Sequence, residues 1–536
     1  MDNRNPNYLP GAAMMVFVAA AVLLVPWLGE TLFNSKGEPR EAIVAVSILH
    51  SGNWILPVNY GVDIPFKPPF LAWLIAVFAK IFNGGVVNEF ISRLPSALAA
   101  VAMTVCSYRW AARTRTVRFS MFFALLVLTN VEVFRAAVAC RLDMVLTACM
   151  VIAMYQMQRL VEDERLRFRF GRWVLVAVLL TCATLTKGPV GALLPCFIAG
   201  VYMLLRGRRF FPSLFKMLGL AAVAMILPAW WAYEAYLQGG EEFYGLMMEE
   251  NIGRLLGTMS YESHENPVWY NFMTLAAGLL PWTLLALLSL GALRRYRRAP
   301  LSSAALFSVT AAVLTVVFYS IPASKRSVYL LPAYPFICYG LACLLETKIT
   351  APAVRRFTWI VAVLAVLAPA AVVASQFVDI SKFPVDTIVW WRWVFVALPA
   401  VAGVAWMANR HSPGAHAVTI VWSLLLCYAA AVMPAVLNPR SDKAAAEELA
   451  ALAGDKPVIS LMPQKNVRMY TINFYLDDRL RLAPDVAGAL RQPAGTVLLV
   501  PHGSDTTGLG AAYDYRLLRE RSCDFRRPLG VAVKRK

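Results

Sequence analysis

Ala12-Ala13-Met14-Met15-Val16-Phe17-Val18-Ala19-Ala20-Ala21-Val22-Leu23-Leu24-Val25-Pro26-Trp27-Leu28 contains no ionisable group. A run this long and this apolar approaches the ~20 residues that a helix needs to cross the hydrocarbon core of a bilayer. Only Asp2 and Arg4 charge the segment before it, and Pro26-Trp27-Leu28-Gly29 closes it without a small-residue cleavage site. It therefore reads as a retained membrane helix, not as a removed signal peptide. The pattern recurs along the chain. Of 536 residues, 59% are hydrophobic and only 15% charged, where a soluble protein carries about 25% charged residues. Mean hydropathy is +0.58. The expected fold class is a polytopic α-helical membrane protein.

About thirteen apolar runs approach spanning length. They begin near residues 11, 90, 118, 144, 172, 189, 214, 269, 301, 329, 357, 391 and 416. This count sorts the basic loops. Arg109 to Arg118, Arg159 to Arg172, Arg206 to Arg209, Arg294 to Arg298, Lys348 to Arg356 and Arg410 all fall on one side. Short loops rich in Lys and Arg stay cytoplasmic, which predicts an inside amino terminus and an outside segment after Pro439. The net charge of +19 is explained by this bias and by anionic membrane lipid, and does not call for a nucleic-acid partner. Nine cysteines show no metal or disulfide spacing and read mainly as small buried hydrophobes.

The opposite side collects ionisable residues at span edges. It holds the long first loop (roughly 30–89), Arg141-Leu142-Asp143, the Lys187-Gly188-Pro189 turn, the loop from Tyr233 to Asn271, and Ser324-Lys325-Arg326. Charges beside a membrane are costly and usually functional. In the first loop, Arg40 to His50 predicts a helix stopped by Ser51-Gly52-Asn53. It is too short to span and is expected to lie on the bilayer. Ala72 to Phe82, broken by Asn83-Gly84-Gly85, reads as a second such helix. The tail, 440–536, predicts a small soluble α/β domain with a helix over Lys443 to Ala453 and strands at 457–461 and 496–500. Nothing in it reads as catalytic.

Candidate catalytic acids are Glu38 and Asp143. Either can activate or orient an acceptor, or can simply cap its helix. Glu41, one turn beyond Glu38, reads first as a charge on a helix face. Lys67, between Phe66 and Pro68-Pro69, is a single ammonium on a stiffened chain. That suits capture of one phosphate, with snorkelling to headgroups as the alternative. Lys187 follows the same logic. Arg40, Arg254 and Lys325 can share the anion, and Arg93 either joins them or anchors its span. His264 stands before Trp269 and Tyr270, an interfacial aromatic pair. One His among scattered carboxylates is a weak metal site. No cofactor is required by these residues, and a divalent metal stays open. Jointly they describe a cavity where cations hold a lipid phosphate and neutralise charge as it leaves.

Glu38-Pro39-Arg40-Glu41-Ala42, Ser51-Gly52-Asn53-Trp54, Phe66-Lys67-Pro68-Pro69 and Arg93-Leu94-Pro95-Ser96 resemble the first-loop motifs of a bacterial family. It comprises the aminoarabinose lipid A transferases and their protein O-mannosyltransferase relatives. Arg141-Leu142-Asp143, Thr186-Lys187-Gly188-Pro189, His264-Glu265-Asn266-Pro267 and Ser324-Lys325 with Tyr329-Leu330-Leu331-Pro332 continue the resemblance in order, over about residues 10–345. The resemblance implies a GT-C fold of about thirteen transmembrane helices over 1–439, followed by a periplasmic domain over 440–536. It implies an enzyme of the inner membrane that moves a sugar from a polyprenyl-phosphate donor to a lipid, glycan or protein acceptor on the outer face. A transporter or flippase of such lipids is the competing reading. The resemblance makes Lys67 a phosphate ligand and Asp143 an acid of the second outer loop. It puts Arg40 and His264 at donor-site positions, and Lys187, Arg254, Lys325 and Tyr329 are further candidate substrate contacts. Two positions depart from the pattern. Gly37 stands where relatives often carry Asp, and Phe66 where aminoarabinose transferases carry Glu. A zinc site built on that Glu, and aminoarabinose specificity, therefore do not carry over.

Overall fold

The computed structural model describes residues 9–535 apart from 66, 164–169, 254–255, 257, 259–264, 294–300, 378–383, 462–467, 484, 502–503, 505, 507, 511 and 525. Among the described residues, nine helices are long and apolar enough to cross a membrane, or eleven if each of two bent pairs counts as one span. The bent pairs are Val117–Leu128 with Val131–Ala137, at 65°, and Trp269–Gly278 with Trp282–Gly291, at 104°. The two remaining expected spans fall on Pro10–Leu24 and Val190–Leu205, helices of 15 and 16 residues. These two are apolar but shorter than the usual ~20 residues.

Contacts between loops separate the two ends of the bundle. At one end, Arg115 pairs with Glu346 at 2.7 Å and Arg206 with Glu162 at 2.8 Å, joining basic loops that the sequence assigns to one side. At the other end stand the first loop and the Lys187 turn. Gly188 takes φ +92° there, and its amide donates to the Thr184 carbonyl at 2.7 Å. This left-handed residue reverses the chain between Phe170–Lys187 and Val190–Leu205.

The first loop carries two helices, as expected. Pro39–Ser51 starts at Pro39, which fits the first helical turn, and ends at Gly52 with φ 71°. Phe70–Phe82 ends before Gly84 and Gly85. The expectation that the first of these lies on the bilayer is corrected. Ala42, Ile43, Ala45, Val46 and Ile48 are buried against Phe33, Ile75, Cys140, Leu142 and Phe474. Protein covers its apolar face from several sides, so little is left for lipid. Phe70–Phe82 keeps Ile81 and Phe82 about two-thirds exposed, at 64% and 65%, as an interfacial helix should.

The chain ends in a small mixed sheet: β1 (Val458–Leu461), β2 (Leu480–Ala483), β3 (Val497–Pro501), β4 (Tyr513–Arg519) and β5 (Leu529–Lys534). Strand order is β2-β1-β3-β5-β4, with β1 parallel to β2 and β3, and β5 antiparallel to β3 and β4. Side chains alternate faces. Val458, Val497, Leu499 and Val531 pack with Leu449 of the helix Lys443–Ala453, and Ile459, Leu498 and Val500 pack with Ala489. The helix and the strands expected at 457–461 and 496–500 are present, whereas β2, β4 and β5 had no sequence expectation.

The sheet domain is clamped to the first loop. Asp478 accepts from Tyr60 N at 3.0 Å, from Ser47 Oγ at 2.9 Å and from Asn473 Nδ2 at 2.7 Å. Tyr475 Oη donates to Glu89 at 2.8 Å and accepts from Phe33 N at 2.9 Å. Buried groups with this many partners hold one geometry.

Candidate active site

The helix Pro39–Ser51 points its first turn at a solvent-open cavity. Arg40, Glu41 and Lys67 line it, with Leu142, Trp231 and a proline-rich rim of Pro57, Pro65, Pro68 and Pro69. Lys67 Nζ donates to Glu41 Oε1 at 2.5 Å, and Arg40 Nη2 donates to the same oxygen at 2.8 Å. Burial alone would push the Glu41 carboxyl up, but Lys67 and Arg40 outweigh it and hold it at about 2. Burial, reinforced by Arg40, pushes the Lys67 ammonium down to about 8 against the pull of Glu41. Two cations share one carboxylate, with Glu250 close enough to act on both, and their remaining donors suit an anion. Glu41 is thus more than a charge on a helix face. It is the residue that sequence reasoning passed over, and its signal was the Arg40-Glu41 pair directly after Pro39.

The second pair sits between helix ends. Asp143 is in the first turn of Leu142–Glu162, and Lys187 is the last residue of Phe170–Lys187. Lys187 Nζ donates to Asp143 Oδ1 at 2.5 Å and lies 4.2 Å from the centroid of the Tyr329 ring, a cation–π contact. Capping does not explain Asp143, since Arg141 is the N-cap residue and no side chain caps the helix. Asp143 Oδ2 has no hydrogen-bond partner among the described residues. Lys67 and Arg141 are close enough to act on the Asp143 charge, so the two pairs form one polar region.

Glu38 is placed differently. Arg93 Nε and Nη2 donate to its two oxygens at 2.8 and 3.1 Å, and Cys140 N donates to Oε1 at 2.8 Å. Arg93 also donates to the carbonyls of Leu28 and Thr31, at 2.7 and 2.5 Å, and is 1% exposed. Burial would raise the Glu38 carboxyl, and Arg93 outweighs it and lowers it. A carboxylate spent on a buried fork of donors ties the first loop to its span and has no free oxygen facing a substrate. Gly37 beside it leaves room for Arg141, whose Nη2 would lie 2.7 Å from a Cβ there and would have to move. Lys325 is 4% exposed and donates to the Pro322 and Ala323 carbonyls at 2.7 and 3.4 Å, so it closes its own turn. Arg254 and His264 lie outside the described residues. Among the described residues, no three His, Cys, Asp or Glu side chains gather as a metal site.

One wall of the cavity comes from the sheet domain. Tyr470 lines it together with Asn59 and Asp63 of the first loop. No sequence signal marked Tyr470, which stands some 400 residues beyond Lys67 and reaches it only through domain docking.

Comparison with known proteins places the fold. Residues 66–233 match the family model described as dolichyl-phosphate-mannose-protein mannosyltransferase. The chain is 27% identical to an undecaprenyl phosphate-alpha-4-amino-4-deoxy-L-arabinose arabinosyl transferase of Shewanella sediminis, over 56% of this chain and 53% of that protein. A transferase of the same name from Aeromonas salmonicida is 25% identical over 73% of each chain. The chain thus spans about half the length of the first of these and nearly three quarters of the second. Among solved structures, ArnT from Cupriavidus metallidurans bound to undecaprenyl phosphate superposes with a TM-score of 0.74 over 98% of both chains, at 22% identity. The chain is a multi-pass membrane protein of the GT-C fold that resembles the aminoarabinose transferases and the protein mannosyltransferases.

Proposed function

We propose that this chain is a glycosyltransferase that moves a sugar from a polyprenyl-phosphate donor to a lipid or glycan acceptor at the outer face of the bacterial inner membrane. The amino terminus is cytoplasmic in this reading, and the sheet domain over 440–536 is periplasmic. The observation that carries it is the Arg40–Glu41–Lys67 cluster, two cations sharing one carboxylate at the mouth of a membrane-edge cavity. The anion such a site takes is a lipid phosphate, and the relatives' names specify undecaprenyl phosphate.

Transfer proceeds with inversion. An acceptor oxygen attacks the anomeric carbon while the bond from that carbon to the phosphate oxygen breaks, and the electron pair leaves on the phosphate. Lys67 and Arg40 hold that phosphate and stabilise the charge it gains. Lys187, stacked on Tyr329, adds a cation beside it. Asp143 orients the acceptor and takes its proton where the acceptor is a hydroxyl. Glu41 is held between Lys67 and Arg40 at the phosphate, away from the acceptor side, and Glu38 is committed to Arg93. If the acceptor is itself a phosphate, no proton needs a base. Glu38 and Lys325 are then positioning residues. Protein acceptors, named by the matched family, remain a second substrate class to be assayed.

Transport or flipping is the weaker reading, because transporters place their ionisable residues near the bilayer midplane on broken helices. Here the charges gather at one rim. The test is sugar transfer in reconstituted membranes. Lys67→Ala abolishes turnover if the reading is right, and unchanged turnover removes its core. Mass spectrometry of membrane glycolipids and glycoproteins, with and without the chain, then names the acceptor.

A further inference from the structure

The cavity that holds Lys67 has a second polar end, built where the first loop meets the C-terminal sheet domain. Asn59 and Asp63 fold a tight turn there. Asn59 N donates to the Asp63 carbonyl at 2.9 Å, and Asp63 N donates to the Asn59 carbonyl at 2.7 Å. Arg468 of the sheet domain clasps Asp63 Oδ1 through Nε and Nη2, each at 3.0 Å. Asp63 Oδ2 has no hydrogen-bond partner among the described residues. Tyr470, two residues on, opens the helix Tyr470–Tyr475 and packs edge-on against Tyr60 with ring centroids 6.1 Å apart. Its hydroxyl makes no hydrogen bond to a described residue, and its ring lines the cavity with Arg40, Glu41 and Lys67.

A half-buried phenol and a carboxylate oxygen without partners are donor and acceptor awaiting a ligand. Arg468 offsets the Asp63 charge, and Glu242 and Asp478 are close enough to act on it, so this end is less cationic than the Lys67 end. A sugar joined to phosphate through a single oxygen lies within one ring's reach of the groups that hold the phosphate. With Lys67 and Arg40 on the phosphate, the polar wall next to it meets the sugar's hydroxyls. Neutral donors and acceptors beside aromatic and proline surfaces fit a polyhydroxyl ring, apolar on its faces and polar at its edge.

We propose that Asp63, held by the Asn59 turn, and Tyr470 form the subsite for the donor's sugar hydroxyls, and that Tyr470 makes the C-terminal domain a specificity-determining part of the site. This rests on the transferase reading, and it assigns the tail a role that its sequence did not announce.

The test uses the full chain in lipid nanodiscs and two sets of probes. One is bare undecaprenyl phosphate. The other is a panel of undecaprenyl-phosphate monosaccharides, from which the tightest binder is taken. Tyr470→Phe keeps the ring and removes only the hydroxyl, and Asp63→Asn keeps the shape. Each is expected to weaken the glycosylated probe about three- to tenfold, the worth of one neutral hydrogen bond, and to leave bare undecaprenyl phosphate unchanged. Tyr470→Phe should also change the rank order within the panel. Equal loss on both probes would make Tyr470 a structural support and overturn the proposal, as would no loss on either. Lys67→Ala is run beside them and should weaken both probes. If it weakens neither, the transferase reading fails, whatever the tyrosine does.

Discussion

The Lys67 ammonium makes donor binding fall with rising pH in a range where little else titrates. Its ordinary value of 10.5 is brought to about 8 by burial and by Arg40, with Glu41 pulling the other way. The change disfavours the charged form in the empty site by roughly 3 kcal/mol. A polyprenyl phosphodiester keeps one negative charge throughout, so the donor contributes no titration of its own. The phosphate prefers the ammonium, which raises the lysine's value in the complex above that of the free site. The sign follows. Affinity is constant below about pH 8, then falls up to tenfold for each further pH unit until the value in the complex is reached. Lys67→Arg, charged at every accessible pH, should flatten this limb even if it binds less tightly. Glu41→Gln removes the neighbour that holds the ammonium up, so its fall should begin at lower pH. The assay is equilibrium binding of an undecaprenyl-phosphate sugar in nanodiscs between about pH 6.5 and 10. A flat wild-type profile, or a Lys67→Arg profile that falls with the wild type, would refute the reasoning.

Two further outcomes follow from buried pairs. Glu38→Ala strands the Arg93 guanidinium, 1% exposed, and should cost about 3–5 kcal/mol of stability, the usual penalty for breaking a buried pair; a mutant with wild-type thermal stability but no turnover would make Glu38 a catalytic acid after all. Asp478→Ala leaves Tyr60 N and Asn473 Nδ2 without their partner and should loosen the sheet domain by about 2–4 kcal/mol. Faster limited proteolysis after Pro439 would report it, and an unchanged rate would show that the domain is held elsewhere.

The sequence by itself determined the membrane helices, because hydrocarbon thickness fixes how long an apolar run must be. The thirteen expected starts lie on or within two residues of apolar helices or bent pairs, of which, among the described residues, nine or eleven are long enough to span. It also determined the two first-loop helices, whose ends are written locally in Pro39, Gly52 and Gly84, and it drew attention to Lys67. Partner choice was not legible. Glu38 and Arg93 are 55 residues apart, Asp143 and Lys187 are 44 apart, and Lys67 meets Glu41 across 26. A charge pair of this kind leaves no periodicity in the chain, so the sequence could not say which acid is spent on structure and which remains for chemistry. The bilayer-lying first helix was misread for a related reason: its apolar face is the same whether lipid or protein covers it. Only the tertiary structure decided that the sheet domain docks there, burying that face and carrying Tyr470 to the cavity. Such a contact depends on how two segments far apart in the chain fit together, and neither encodes it alone.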